Sequence, residues 1–355
     1  MNKEAFFMTA QKKNHRPGKT FLVVFCSLLL LIGLVLLGGR LWFRLPVSDY
    51  YAASEAAFAI PGLSEGFVPQ GLALDEEAGV YLVGGYMKKA GEASPIYVVD
   101  RRTGELKART SLTEPDGSAF TGHAGGLAVS GDNVLIAGSE GGCVDIFDRE
   151  AILAAGDGFP VQRLGQLYTR LSESDPLGVA FVDVSMDDEG DLLTVGEFYR
   201  EPQYPTAESH KFTTPSGERL QALAVTYRIS EDGLSLIPIR AYALPNLVQG
   251  LTFHDSRIWL SASWGVGFSH IYAWDLESLQ PFDTISVDGQ SIPLYALESC
   301  TRAVDYKLPP MSEEIVFSGE KLLTMCESAS RKYYFGQLTG GQWCYATDLS
   351  RLAAR

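Results

Sequence analysis

Gly126-Leu127-Ala128-Val129, then Ser130-Gly131-Asp132-Asn133, then Val134-Leu135-Ile136-Ala137-Gly138 is a short apolar run, a tight turn and a second apolar run. The pattern occurs four more times. Gly71-Leu72-Ala73-Leu74 with residues 80–86 precedes it, and Asp183-Val184-Ser185-Met186 with residues 192–198 follows it. Gly250-Leu251-Thr252-Phe253 with residues 258–264 comes next, then Glu314-Ile315-Val316-Phe317 with residues 322–328. A strand–turn–strand unit returning at roughly 55–65 residue spacing is the signature of a radial β repeat.

Each copy carries two further segments. The third is Ile96-Tyr97-Val98-Val99, Val144-Asp145-Ile146-Phe147, Leu223-Ala224-Val225-Thr226-Tyr227, Ile271-Tyr272-Ala273-Trp274 and Tyr333-Tyr334-Phe335. The fourth is residues 106–112, 161–168, 237–244, 292–297 and 343–347. These runs are rich in β-branched and aromatic residues and are separated by Gly, Asp, Ser and Pro turns. No helical period runs through them. The expected fold is all-β, a β-propeller of five blades with four antiparallel strands each, preceded by one transmembrane helix. Residues 141–178 or 199–222 leave room for a degenerate sixth copy.

The pattern Gly-Leu-Ala-Val, a turn, then Val-Leu-Ile-Ala resembles NHL-type and SMP-30-type propeller repeats. The resemblance covers nearly all of residues 66–350 as a degenerate strand pattern. It implies that the first strand of each blade lies innermost, against a central channel, and it brings no catalytic signature. An open ring would leave two sheet edges bare. Ala57-Phe58-Ala59-Ile60-Pro61 reads like Ala241-Tyr242-Ala243-Leu244-Pro245, so the segment after the anchor is expected to supply an outer strand to the last blade.

Residues 21–37 are uncharged and apolar, and Gly38-Gly39 close the run. At about 1.5 Å per residue, residues 20–39 form a helix of about 30 Å, the thickness of a bilayer's hydrocarbon core. Lys12, Lys13, Arg16 and Lys19 precede it, while Arg40 and Arg44 flank Trp42 after it. Positive charge on the N-terminal side predicts a cytoplasmic tail and an extracytoplasmic C-terminal part at the plasma membrane. Gly38-Gly39-Arg40-Leu41-Trp42 is a poor cleavage site, so the segment reads as an uncleaved signal-anchor. The expected organisation is a basic tail (1–19), a transmembrane helix (20–39), a stalk (40–56) and the propeller (57–355).

Residues 1–20 carry a net +4 against −14 for the whole chain, which leaves −18 on residues 21–355. Such a domain is repelled by phosphate backbones, so nucleic acid is not an expected partner. Cys143, Cys300, Cys326 and Cys344 lie where disulfides persist, and their spacing fits no zinc pattern.

The entries to the innermost strands face the channel mouth. Gln70, His123, Asp183, Gln249, Glu313 and Glu314 stand there and break an otherwise apolar pattern. Polar groups converging on one concavity, beside glycines that admit close backbone approach, suit a small-molecule site. A second column ends the second strands: Gly85, Ser139, Glu197, Ser263 and Glu327, with neighbours Tyr86, Glu140, Phe198, Trp264 and Ser328. Glu140, Glu197 and Glu327 are the candidate metal ligands, and Ca²⁺ is the cation that hard carboxylate oxygens favour. Two long loops, 199–221 and 298–312, are further places for binding. Gly62-Leu63-Ser64-Glu65-Gly66 matches a nucleophile-elbow pattern but lacks the following helix. Gly265-Val266-Gly267 lacks the context of a dinucleotide site, so no catalytic residue is assigned.

The expected function is ligand or protein binding by a membrane-anchored propeller, the ligand being a small molecule or an extracytoplasmic protein. The competing expectation is a Ca²⁺-dependent hydrolase at the channel mouth. By resemblance that would be of the SMP-30-like lactonase or five-bladed nucleotidase type, which the fold alone does not establish.

Overall fold

The computed structural model describes residues 17–138, 141–156, 158–230, 233, 235–333 and 335–352. The chain divides into two compact units, residues 1–42 and residues 43–355. Within the first runs the greater part of a helix, Pro17–Arg44. It is long and apolar enough to cross a membrane. Phe21, Leu30 and Val35 are each more than 60 % exposed, as side chains meant for lipid would be.

The second unit is built of strands. Among the described residues two of its sheets hold four strands, one six and one eight, and two small hairpins complete them. Five strands open the repeated unit: Phe67–Asp75, Leu127–Ser130, Val179–Asp187, Val248–His254 and Ser312–Ser318. Each pairs antiparallel with the strand that follows it. Each also packs against the opening strand of the next repeat, and the last against the first. The ring therefore closes around these strands, which is a propeller-type arrangement.

The strands read as near-continuous apolar runs because both faces of each sheet are covered. Val80, Leu82 and Val83 are all buried. The core is divided into clusters wedged between neighbouring sheets. Val134, Ile136 and Phe147 meet Val80, Leu82 and Ile96, while Phe181 and Tyr242 meet Leu251, Leu260 and Trp274.

Closure follows the expected route. Ser54–Ala59 pairs antiparallel with Trp343–Asp348. Phe58 is buried and stacks on Tyr81 at 5.4 Å, so the added strand also packs on the first repeat. The stretch read as stalk contributes more than a tether. Ser48–Ala53 is helical, Tyr50 and Val47 are buried beside Trp259 and Ile271, and the Tyr50 hydroxyl bonds Thr324 at 2.6 Å.

Two strand assignments differ from the sequence reading. In the fourth repeat the outer strand is Val304–Leu308, paired with Ser269–Asp275. Residues 292–296 belong instead to a hairpin, Pro281–Val287 with Gln290–Ala296, that adds in parallel to Leu236–Leu244 of the third repeat. Asp288 and Gly289 both have positive φ, the geometry of a two-residue hairpin turn. The hairpin covers a sheet edge that would otherwise be bare. In the last repeat Trp343–Asp348 pairs directly with Lys321–Cys326, and Glu327–Ala329 forms a short helical turn. Tyr333 and Phe335 are not in a strand, and Tyr334 lies outside the described residues.

Candidate functional site at the axial mouth

Where five strands converge, side chains run out of room. Gly71, Gly126 and Gly250 occupy one repeat position on three opening strands. A Cβ at Gly71 would strike Leu127, and one at Gly126 would lie 2.6 Å from the Val182 nitrogen and 2.7 Å from Glu314 Oε1. At Gly250 it would meet the Glu314 backbone at 2.7 Å. The fifth strand places Glu314 itself in this column, and the glycines opposite leave its carboxyl space to reach across.

The inner edge of each opening strand carries amides that pair with no further strand. Glu314 answers two of them. The Leu72 and Leu127 amides donate to its Oε2 at 2.6 and 2.8 Å. It is buried, and burial pushes its carboxyl well above the usual range against the pull of those amides. One side chain thus stitches the first and second repeats to the fifth. Beneath it is a cavity of about 70 Å³ lined by Leu74, Val129, Val184, Val316 and Asp183, room for a water or two at ~30 Å³ each. Burial raises Asp183 to about 7 against the opposing pull of the Thr252 hydroxyl and the Phe253 amide.

Above Glu314 the floor of the mouth holds a second carboxyl pair. Glu313 is 2 % exposed, and its Oε1 has no hydrogen-bond partner among the described residues. Glu327 is 8 % exposed and accepts from Gln70 Nε2 at 3.1 Å. Burial raises both carboxyls; proximity to Glu327 raises Glu313 further, and Lys332 opposes both shifts. Lys332 donates to the Tyr86 hydroxyl and lies 5.1 Å from the Tyr86 ring centroid and 5.2 Å from that of Tyr333. His123 packs edge-on against Tyr86 at 4.5 Å. Burial and Lys332 hold its imidazole below the ordinary histidine range.

Phe198, Tyr204 and Trp264 form an aromatic trio with centroids 5.3–5.9 Å apart. The Arg200 guanidinium lies 4.2 Å over Trp264. Burial, Glu327 and Glu313 raise the Tyr86 phenol, and Tyr204 adds to that shift. Tyr86, Phe198 and Trp264 had stood together in the column beside the second-strand ends. Arg200, Tyr204, Lys332 and Tyr333 lie in loops, where no periodicity marks them.

Of the sequence candidates, Gln70, Glu313 and Glu314 come together at the mouth and its floor, and His123 joins them through Tyr86. Gln249 sits at a β-bulge matching that of Gln70. Phe181, and not Asp183, stands at the Gly71 position, because Phe181 pairs with Gly196 as Gly71 pairs with Gly84. Asp183 therefore lies two residues further along the channel, below Glu314.

Glu197 and Glu327 are also offset. Val179 pairs with Glu197 and Ser312 with Cys326, so Glu327 falls one residue beyond the Glu197 position and the two lose the common direction of a shared column. Glu197 accepts from the Gly178 amide at 3.0 Å, the Leu223 amide at 3.2 Å and His210 Nδ1 at 2.8 Å. Glu140 lies outside the described residues. Among the described residues, the three side chains grouped closely enough to share a metal are His254, Asp255 and Glu320, at turns beyond the opposite ends of the opening strands. The described cysteines are all free thiols.

His210 Nε2 approaches Asp175 Oδ1 at 3.3 Å, so a buried imidazole bridges two carboxylates and fastens the 199–221 loop. Burial opposes its charge, but Glu197 and Asp175 outweigh burial and the net shift is upward. A raised folded value stabilises fully below the unfolded value of about 6.5, and that contribution fades as pH climbs through the folded value. Limited proteolysis within residues 199–221 should therefore accelerate from pH 6 to pH 9. His210→Gln should accelerate it at pH 6 and flatten the profile, and an unchanged profile would reject the latch.

No sequence-family model matches the chain, and no curated protein sequence matches it. Among solved structures it is similar to the glutaminyl cyclase of Myxococcus xanthus, at 10 % identity over 83 % of this chain and 94 % of that one, TM-score 0.41. It is similar to the PQQ-bound aldose sugar dehydrogenase of Streptomyces coelicolor, at 13 % identity over 82 % and 95 %, TM-score 0.41. It is also similar to the exo-β-1,3-galactanase of Phanerochaete chrysosporium, at 11 % identity over 85 % and 65 %, TM-score 0.45.

Proposed function

We propose that this chain is a membrane-anchored, five-bladed propeller facing the extracytoplasmic side, and that it binds a small ligand at the axial mouth. The five opening strands, one per repeat, support the blade count. The anchor and orientation rest on the apolar helix and the basic residues before it. The single observation that carries the binding reading is Glu313. A carboxyl oxygen that is buried and lacks a partner costs about 1–3 kcal/mol, and a ligand that donates to it recovers that cost. Gln70 and Gln249 stand at matching bulges of the opening strands, His123 packs on Tyr86, and Glu314 is buried among those strands. The Glu313–Glu327 pair, with both carboxyls raised, also suits proton transfer, which keeps hydrolysis as the second reading.

A fragment panel read by thermal shift, with and without Ca²⁺, tests the proposal. Fragments that raise the melting temperature of the wild type by mass action should fail to do so for Glu313→Ala and His123→Ala. At a hundredfold excess over Kd the expected gain is about 2.7 kcal/mol. Equal responses from the variants would move the binding site elsewhere. A response that requires Ca²⁺ would favour the hydrolase reading.

A further inference from the structure

We propose that the ligand of this mouth is an organic ammonium ion, held by the Glu313–Glu327 pair beside the aromatic rings of Tyr86 and Tyr333, with Lys332 keeping its place. This rests on the reading that the mouth binds a ligand at all.

Acceptors outnumber donors here. Glu313 Oε1 is buried without a partner among the described residues. Glu327 takes its bond from the neutral amide of Gln70. What the pair lacks is a donor carrying positive charge. An ammonium group supplies both, and charge-assisted bonds to carboxylates are the stronger kind.

The protein already shows how a cation is received. Lys332 reaches in from an exposed turn, bonds the Tyr86 hydroxyl and lies over two aromatic rings, with both carboxyls in its field. Its ammonium is a tethered stand-in that can swing out. Across the mouth Arg200 uses the Trp264 face in the same way at 4.2 Å. Cations over Trp and Tyr faces gain about 0.5–2 kcal/mol, most when desolvated.

The aromatic faces also choose between kinds of cation. Ca²⁺ needs about 6–8 oxygen ligands, and ring faces offer none. An alkylammonium head is less strongly hydrated and leaves a carbon chain for Phe198, Tyr204 and Trp264. Its arrival displaces the protons that burial favours on Glu313 and Glu327, so affinity should rise with pH.

The test is calorimetric titration of the full-length protein in detergent with n-butylammonium, n-butanol and CaCl₂. Butylammonium should bind at least tenfold more tightly than butanol, and more tightly at pH 8 than at pH 6. Lys332→Ala should tighten it about tenfold by removing the competitor. Glu313→Gln should weaken it at least tenfold with no loss of melting temperature. If that variant does not fold, the Lys332→Ala and pH arms still decide. Equal binding of butanol and butylammonium, or weaker binding by Lys332→Ala, overturns the proposal. Glu313-dependent binding of a neutral fragment, or of Ca²⁺ alone, retains the mouth as a site and rejects the ammonium. If nothing binds, both readings fall.

Discussion

A chain shortened to begin at Gly62 should fail to reach the folded ring, whereas the full-length chain melts cooperatively. The shortened chain lacks the strand Ser54–Ala59, which leaves one edge of Trp343–Asp348 bare. It also lacks Val47, Tyr50, Phe58 and Ile60, each no more than 5 % exposed. At about 1.5–3 kcal/mol for each large apolar side chain returned to water, the loss exceeds about 6 kcal/mol. A domain's whole stability is about 5–15 kcal/mol. The strand joins the ends of the ring, since Phe58 rests on Tyr81 of the first repeat while its backbone pairs with the last. Phe58→Ala should cost about 3–5 kcal/mol by itself. Urea denaturation followed by far-UV circular dichroism measures both. A shortened chain with the full-length midpoint would refute closure by this segment.

The repeat was legible because burial on both sheet faces forces apolar residues at fixed offsets, and the closing strand was legible because it obeys the same rule. The hairpin Pro281–Val287 with Gln290–Ala296 was not. Its residues have strand composition, and nothing local says that they join the neighbouring sheet in parallel. The polar column was legible at Gln70, Glu313 and Glu314, where apolar spacing breaks. Asp183 was displaced by two positions because the third hairpin, Phe181 to Asp187 against Gly190 to Gly196, runs two pairs longer than Gly250 to His254 against Arg257 to Ser261, which carries its turn further from the mouth. Glu197 and Glu327 were aligned by their position in the repeat, whereas the ladder sets them one residue apart. Lys332, Tyr333 and Arg200 lie in turns, where tertiary contact alone gives them a role.

Glu314→Ala should be among the most damaging single substitutions in the propeller, and Glu314→Gln nearly silent. Alanine removes the acceptor shared by the Leu72 and Leu127 amides. Each buried amide left unpaired costs about 1–3 kcal/mol, so the expected loss is about 2–6 kcal/mol before any cavity is counted. Glutamine keeps a carbonyl oxygen where Oε2 stands. It also mimics the neutral acid that burial favours. The pH dependence follows with its sign. An unfolded glutamate titrates near 4.3 and an aspartate near 3.9. Glu314 folds with its value raised, and Asp183 with its value raised to about 7. The folded ring then holds more protons than the unfolded chain above about pH 4, so its stability falls as pH rises through that window. For Asp183 the fall should be complete just above pH 7, and Asp183→Asn should remove it. Urea midpoints from pH 4 to pH 8 read all of this, with Glu314→Gln and Asp183→Asn each flattening the slope. A Glu314→Gln variant as unstable as Glu314→Ala would mean that the amides require an anion. The plug would then be an ion site of the backbone and not a hydrogen-bonded neutral acid.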